Sequence, residues 1–354
     1  MAYTDIDDPS AHFQTKIYTG DGNNNRAITN DGNSDLQPDF IWLKDRNVGF
    51  GHRLTDSTRG ITKNLASETT GAEGTSTTQY ASWNTDGFTL IYGGQQVPNY
   101  NGHTYVAWQW KANGGTTANN TDGATTSTVQ ANTDAGFSIV TYTGTGSATT
   151  LGHGLGVAPA MLIVKNRTTA VDWAVYHKDL TDAGYVIAIN STDAEADSGT
   201  NRWNHTDPTS SVFSVGSGQQ TNQNTNNMIC YAFAEKQGYS KFGSYIGNGN
   251  ADGPFVYTGF KPAFVLFKNS SNAGENWIMY DNKRDPHNEA TLELFPNLVN
   301  TDYTGNAFDI DMLSNGFKHR GANGGSNGSN RTYIYMAFAE HPFTTSTGIP
   351  TTAR

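Results

Sequence analysis

One cysteine, Cys230, is all the thiol chemistry that the 354 residues carry. That scarcity excludes intrachain disulfides and cysteine-rich metal sites. Charge is sparse as well: 15% of residues are charged, and 32 Asp and Glu outweigh 22 Lys and Arg, for a net charge of −10. Phosphate backbones are held by clustered cations, and no such cluster occurs, which argues against a nucleic-acid partner. No window of 18 apolar residues exists, and Met1 to Ser10 is acidic rather than basic-then-apolar. The expectation is a soluble chain without membrane insertion or classical export. No segment sustains a capped 3.6-residue apolar period and no heptad is visible, so helices and coiled coils are not expected.

What is present is turn and strand chemistry: 39 Gly and an abundance of Thr, Asn and Ser. The chain also says nearly the same thing three times. Tyr18-Thr19-Gly20-Asp21-Gly22, Tyr142-Thr143-Gly144-Thr145-Gly146 and Tyr245-Ile246-Gly247-Asn248-Gly249 share Tyr-x-Gly-x-Gly. Each leads to a Pro followed six positions later by Lys across an apolar run: Pro38 to Lys44, Pro159 to Lys165, Pro262 to Lys268. The closing runs align on Ala107, Ala232 and Ala337. On this alignment Cys230 takes the position of Tyr335 and Tyr105, two before the shared Ala, and reads as a core substitution.

Repeats of about 100 residues are large enough to bury their own cores. The expected fold is all-β, with three tandem antiparallel β-sandwich domains of concanavalin or jelly-roll type. Their expected bounds are 14–111, 135–237 and 238–344, with an N-terminal arm 1–13, a polar linker 112–134 and a C-terminal tail 345–354. The short join between the second and third copies predicts that these two form the tighter pair. Phe40-Ile41-Trp42-Leu43, Met161-Leu162-Ile163-Val164 and Phe264-Val265-Leu266-Phe267 read as buried strands.

Tests for chemistry return little. Gly152-His153-Gly154-Leu155-Gly156 lacks the Lys-Ser/Thr ending of a phosphate loop and precedes a strand. Nine scattered histidines show no metal spacing, and no Gly-x-Ser-x-Gly elbow occurs. The acid pairs Asp7 with Asp8, Asp309 with Asp311, and Asp281 with Asp285 neither prove nor exclude hydrolysis. In Asp281 to Asp285 two cations of the segment itself oppose Ca²⁺ binding. No catalytic residue, metal or cofactor is expected. Recurrence marks Lys44, Lys165 and Lys268 as fold residues, each expected to lay its stem on apolar surface with the ammonium in water. Trp173 and Trp277 read as core.

Function is then expected where the copies diverge. The candidate contact residues are His52, Arg53, Asp56, Arg59, Tyr80, Trp83, Tyr92 and Tyr100 in the first copy, Arg202, Trp203 and His205 in the second, and Tyr303, His319 and Arg320 in the third. Aromatic rings among Asn, Asp and Thr suit carbohydrate, though Tyr, Trp and Arg are equally enriched at protein contacts.

The run His153 to Arg167, followed by Trp173-Ala174-Val175-Tyr176-His177, resembles a repeat of structural proteins in marine tailed phages, including cyanophages. So do Asp5 to Gln14, Leu36 to Lys44, and Asp56-Ser57-Thr58-Arg59-Gly60. The likeness covers almost the whole chain and implies a virion component assembled in the host cytoplasm, often a tail fibre or adhesin, with sandwiches of concanavalin or SPRY type. It also implies other virion proteins as partners, a host-surface glycan as ligand, and a homo-oligomer with a trimer among the candidates. Capsid decoration, a tail adaptor and, more weakly, a glycan depolymerase stand as alternatives.

Overall fold

The computed structural model describes residues 3–94, 98–305 and 308–351. It is all-β, with several antiparallel sheets and, among the described residues, only two short helical turns. No described helix is long and apolar enough to cross a membrane. The same four-stranded sheet occurs three times. Its strands run in the order opening, closing, lysine-bearing and return. In the first copy these are Phe13–Thr19, Thr104–Trp110, Phe40–Asp45 and Arg53–Asp56. In the second they are Phe137–Thr143, Asn227–Phe233, Met161–Asn166 and Ala174–His177. In the third they are Ser240–Ile246, Thr332–Pro342, Phe260–Asn269 and Trp277–Asp281.

The Tyr-x-Gly-x-Gly motif has a complete physical account. The Tyr18, Tyr142 and Tyr245 hydroxyls donate to the carbonyls of Pro98, Thr221 and Ser326. A Cβ on Gly20, Gly144 or Gly247 would sit 2.1, 2.1 or 2.3 Å from a carbonyl oxygen, too close for any side chain. Gly22, Gly146 and Gly249 hold φ of +71°, +69° and +66°, where glycine is favoured. A buried amide, absent from the motif as read, braces each turn: Asn99, Asn222 and Asn327 accept from the amides of Asp21, Thr145 and Asn248.

Each four-stranded sheet is apolar on both faces, and alternation sends neighbouring residues to different cores. Ile41, Leu43, Tyr105 and Ala107 pack with Phe88 and Leu90 of the first copy's own smaller sheet. Leu162, Val164, Cys230 and Ala232 do the same with Leu151 and Phe213 in the second, and Val265, Phe267, Tyr335 and Ala337 with Val256 and Phe317 in the third. The opposite faces all meet one another. Phe40, Trp42, Trp108 and Trp110, Met161, Ile163, Tyr231 and Phe233, and Phe264, Leu266, Met336 and Phe338 form a single core shared by the three copies. The second and third copies are therefore not a pair apart from the first, as their short join had predicted.

Polar contacts repeat around this core in one rotational sense. The amides of Asp302, Glu73 and Glu195 donate to the carbonyls of Arg46, Arg167 and Ser270 at 2.8, 2.9 and 2.8 Å, joining copy three to one, one to two and two to three. The indole N–H groups of Trp173 and Trp277 donate to Ala66 and Ala188 carbonyls, and His52, which holds the same position in the first copy, bonds the Phe295 carbonyl.

Two expectations need correction. The stretch 112–134 is no linker: Ala118–Asn120 and Ser127–Asn132 are strands that extend the second sheet beyond its opening strand. Its polarity misled because hydrogen bonds rather than apolar burial hold much of it in place; buried Asp39 accepts from the amides of Ala112, Gly114 and Gly115. The alignment of the closing strands is off by two in the first copy. Leu162 pairs with Ala232 and Val265 with Ala337, while Ile41 pairs with Gln109, so Gln109 and not Ala107 is their counterpart. Strands apolar on both faces carry no internal mark of register.

A shared core predicts shared unfolding. Urea denaturation should give one transition, and Trp110→Ala should cost about 3–5 kcal/mol without splitting it; two or three separate transitions would show independently stable copies. Gly144→Ala, forced against the Gln223 carbonyl, should cost about 1–3 kcal/mol, read as a lower urea midpoint.

Candidate contact surface

The structure removes six of the fourteen candidate residues from the surface. Asp56 and Arg59 form an ion pair at 2.5 Å with both side chains fully buried. The Tyr231 hydroxyl from the second copy donates to Asp56 at 2.8 Å, and Arg59 donates onward to that hydroxyl and to Glu73. The third copy repeats this with Asp281 and Arg284, and Trp108 of the first copy is the donor at 3.0 Å. The Arg284 guanidinium occupies the carboxylate that a cation at Asp281 to Asp285 would need. In the second copy His177 takes the aspartate's place opposite the first residue of its lysine strand. Burial pushes its ring down to about 4, so it stays neutral and bonds the Tyr335 carbonyl.

His52 is fully buried, and burial, aided by nearby Lys44, holds it well below the ordinary histidine range. Its Nδ1 accepts from the Trp42 indole at 2.9 Å, which leaves the proton on Nε2 to reach the Phe295 carbonyl at 3.0 Å. Tyr80 is buried beside Phe88, and Trp203 beside Tyr176. His319 lies among Tyr245, Phe267 and Phe317, and burial pushes it down to about 3. Divergence between copies at these positions thus reflects core packing and ring closure.

The three lysines correct another expectation. Lys44, Lys165 and Lys268 are fully buried, not dipped in water. Lys165 donates to Thr70 of the first copy and Lys268 reaches Thr192 of the second, while Lys44 bonds the Asp45 carbonyl. Burial lowers each to about 8, partly offset by Asp45, Asp172 and Glu275 respectively.

The remaining candidates lie apart. Arg53 and Trp83 are half-buried, and Trp83 rests on Tyr80 at 5.6 Å. In the second copy Arg202 is half-buried, and exposed His205 stands 3.7 Å from Asp182. In the third, Tyr303 is exposed and Arg320 pairs with Asp311 at 2.6 Å. Only Tyr92 and Tyr100 are brought together, and they belong to a longer row that sequence reading missed. Ring centroids step from Tyr92 to Tyr100 (6.4 Å), to His103 (4.5 Å), to Phe50 (6.0 Å). Asp45 orients His103 at 2.7 Å, and Asn24 accepts from the Tyr92 amide. Asn23, Asn24 and Asn101 are exposed in the neighbouring turns. A sequence signal did exist: Tyr100 and His103 immediately precede the first copy's closing strand, in a loop richer in aromatics than its counterparts. Tyr92 is exposed and Tyr100, His103 and Phe50 are half-buried, so the row offers part of its ring surface beside exposed amides, which can stack on apolar faces and bond hydroxyls.

Burial raises the affinity for protons of Glu68, which accepts from the His52 amide near Phe50, and of two carboxylates elsewhere. Glu293, pushed up to about 7 by burial, accepts from the Tyr280 hydroxyl, and burial also raises Asp309. Glu293 is wholly enclosed. Among the described residues no group of three or more His, Cys, Asp or Glu is placed to hold a metal ion.

A family model described as a domain of unknown function, DUF7483, matches residues 8–342. No curated protein matches the chain.

Two measurements separate interior from surface. Asp56→Ala, which strands Arg59, should cost about 3–5 kcal/mol in denaturation, whereas Tyr92→Ala should stay within about 0.5 kcal/mol. The lysines set a pH dependence. Their protons are held less tightly in the folded chain than at the ordinary 10.5, so between about pH 8 and 10 the unfolded state binds more protons and stability rises with pH. The urea midpoint should climb from pH 7.5 to 9.5, and Lys165→Met should flatten that climb by about a third; an unchanged slope would exclude Lys165 as a source.

Proposed function

The chain belongs to the DUF7483 family, a domain of unknown function matched over residues 8–342, and from the resemblance of its repeats we propose that it is a non-enzymatic structural component of a phage virion. Its part there is that of a tail-fibre or adhesin-type protein, whose copies, each read as a β-sandwich of about 100 residues, face a host-surface glycan. The observation that carries this reading is the row Tyr92, Tyr100, His103 and Phe50, exposed at Tyr92 and half-buried at the other three, beside Asn and Asp side chains. Ring faces present flat apolar area at small entropic cost, and short amides beside them give hydroxyls direct partners. The likeness of the repeats to phage structural proteins supplies the setting.

A second reading, capsid decoration or a tail adaptor, draws on the rotational order of the three copies. A body with near-threefold character fits a threefold site on a particle, and a ring already closed within one chain needs no homotrimer to present it.

Glycan-array binding by the full chain should be saturable and fall at least tenfold with Tyr92→Ala and Tyr100→Ala. No binding to host cells or glycans would sink the adhesin reading. A density map of the virion that places the chain on the head would favour decoration, and a tail-tip position would favour attachment.

A further inference from the structure

The three copies differ in what lies beyond their opening strands. In the second, Ser127–Asn132 pairs with the outer edge of Phe137–Thr143, with Gln130 opposite Ile139. The Gln130 amide seals the junction with the first copy: its Nε2 donates to the hydroxyls of Ser57 and Thr58 at 2.9 and 2.8 Å, and its Oε1 accepts from the Gly115 amide at 2.8 Å. In the first copy the opening strand Phe13–Thr19 pairs with the closing strand alone and ends its sheet. The Gly20 amide bonds the His103 carbonyl and the Lys111 amide bonds the His12 carbonyl, so even-numbered residues face the closing strand. Phe13, Thr15 and Ile17 therefore turn their backbone groups outward, where no strand is paired.

Beside this edge lies a cavity of about 210 Å³ lined by Phe13, Gln14 and Thr15 of the first copy and Asn282, Lys283 and His341 of the third. The correspondence with the filled position is residue by residue. Thr15 stands opposite Trp108 as Ile139 stands opposite Tyr231. Asn282 and Lys283 follow Asp281 as Ser57 and Thr58 follow Asp56. The Thr15 hydroxyl is buried without a hydrogen-bond partner. In the third copy the matching residue is Phe242, opposite Met336, whose buried ring closes that position against His177 and Phe338. Lys16 would guard a free edge by its charge, but Asp31 neutralises it at 3.1 Å.

We propose that the outer edge of Phe13–Thr19 is a strand-acceptor site, which takes an extended polar segment of a separate partner polypeptide with a glutamine or asparagine opposite Thr15. Backbone pairing supplies affinity and the alternate side chain entering the cavity supplies selectivity. The chain's own Ser127–Asn132 shows the chemistry of the occupant: hydroxyl and small apolar residues with two amides, of which Gln130 is the one opposite Ile139. This inference stands apart from the virion reading, since it rests on the comparison among copies.

The probe is a synthetic peptide of residues 125–133 (Thr-Thr-Ser-Thr-Val-Gln-Ala-Asn-Thr), added to the full-length chain while amide hydrogen exchange is followed by mass spectrometry. The peptide should slow exchange at Phe13 to Ile17 at least tenfold, and a peptide with Gln130→Pro should not. Asn282→Trp, which fills the cavity, should abolish the effect; the proline peptide gives the same discrimination on the unaltered protein should that variant misfold. Unchanged exchange at millimolar peptide overturns the proposal. Protection that grows with protein concentration without peptide, and vanishes in Asn282→Trp, assigns the edge to a second copy of the chain and overturns a separate partner. Protection by an oligosaccharide but not by the peptide overturns it in favour of a sugar site.

Discussion

The wedge of aromatic and aliphatic side chains where three sheets meet is the constraint on which the rest of the molecule depends. Phe13, Trp110, Phe233, Phe264 and Phe338, drawn from all three copies, are joined by a continuous set of ring contacts, with Trp110 and Phe338 touching all the others. Each sheet must therefore be apolar on both faces, and each copy is incomplete without its neighbours. Burying a large side chain of this kind stabilises by about 1.5–3 kcal/mol, so the shared face outweighs any single polar contact at the junctions.

Closure of the ring also explains where polar groups went inside. Buried charge is tolerated when paired and hydrogen-bonded, and the junctions meet that condition unequally. Two use an aspartate and arginine reached by a neighbour's Tyr231 or Trp108, and the third uses neutral His177 with Leu180 at the arginine's position. The buried lysines follow the same logic: burial lowers their affinity for protons, and their ammonium groups are held by backbone carbonyls. Residues that look like a contact set in sequence thus act as fasteners between copies.

Much of this was legible in the chain and some was not. The threefold motif, the strands and the all-β character follow from local pattern, because Tyr18, Gly20 and Gly22 act on residues whose spacing is fixed. The mutual packing of copies was not, since a strand apolar on both faces reads alike whether it is covered by its own second sheet or by another copy; Ile41 and Trp42 are adjacent yet belong to different cores. The same ambiguity hid the two-residue shift at Ala107. Polarity misled in both directions: Thr, Asn, Gly and Ser gave 112–134 the look of a linker although Asp39 and Gln130 anchor it, and His52 and Arg59 looked exposed while lying inside. The row from Tyr92 to Phe50 joins residues from two loops, and only folding reveals it.

The fusion of three copies into one chain has a consequence for valency. A ring of three identical chains would display every loop three times, and any change in one would appear in all. Here the row at Tyr92 and Tyr100 occurs once per ring, and the copies were free to diverge around a common interior. Multivalent attachment, if this surface binds, must come from the number of chains mounted together, with effective concentration set by their spacing rather than by the ring itself.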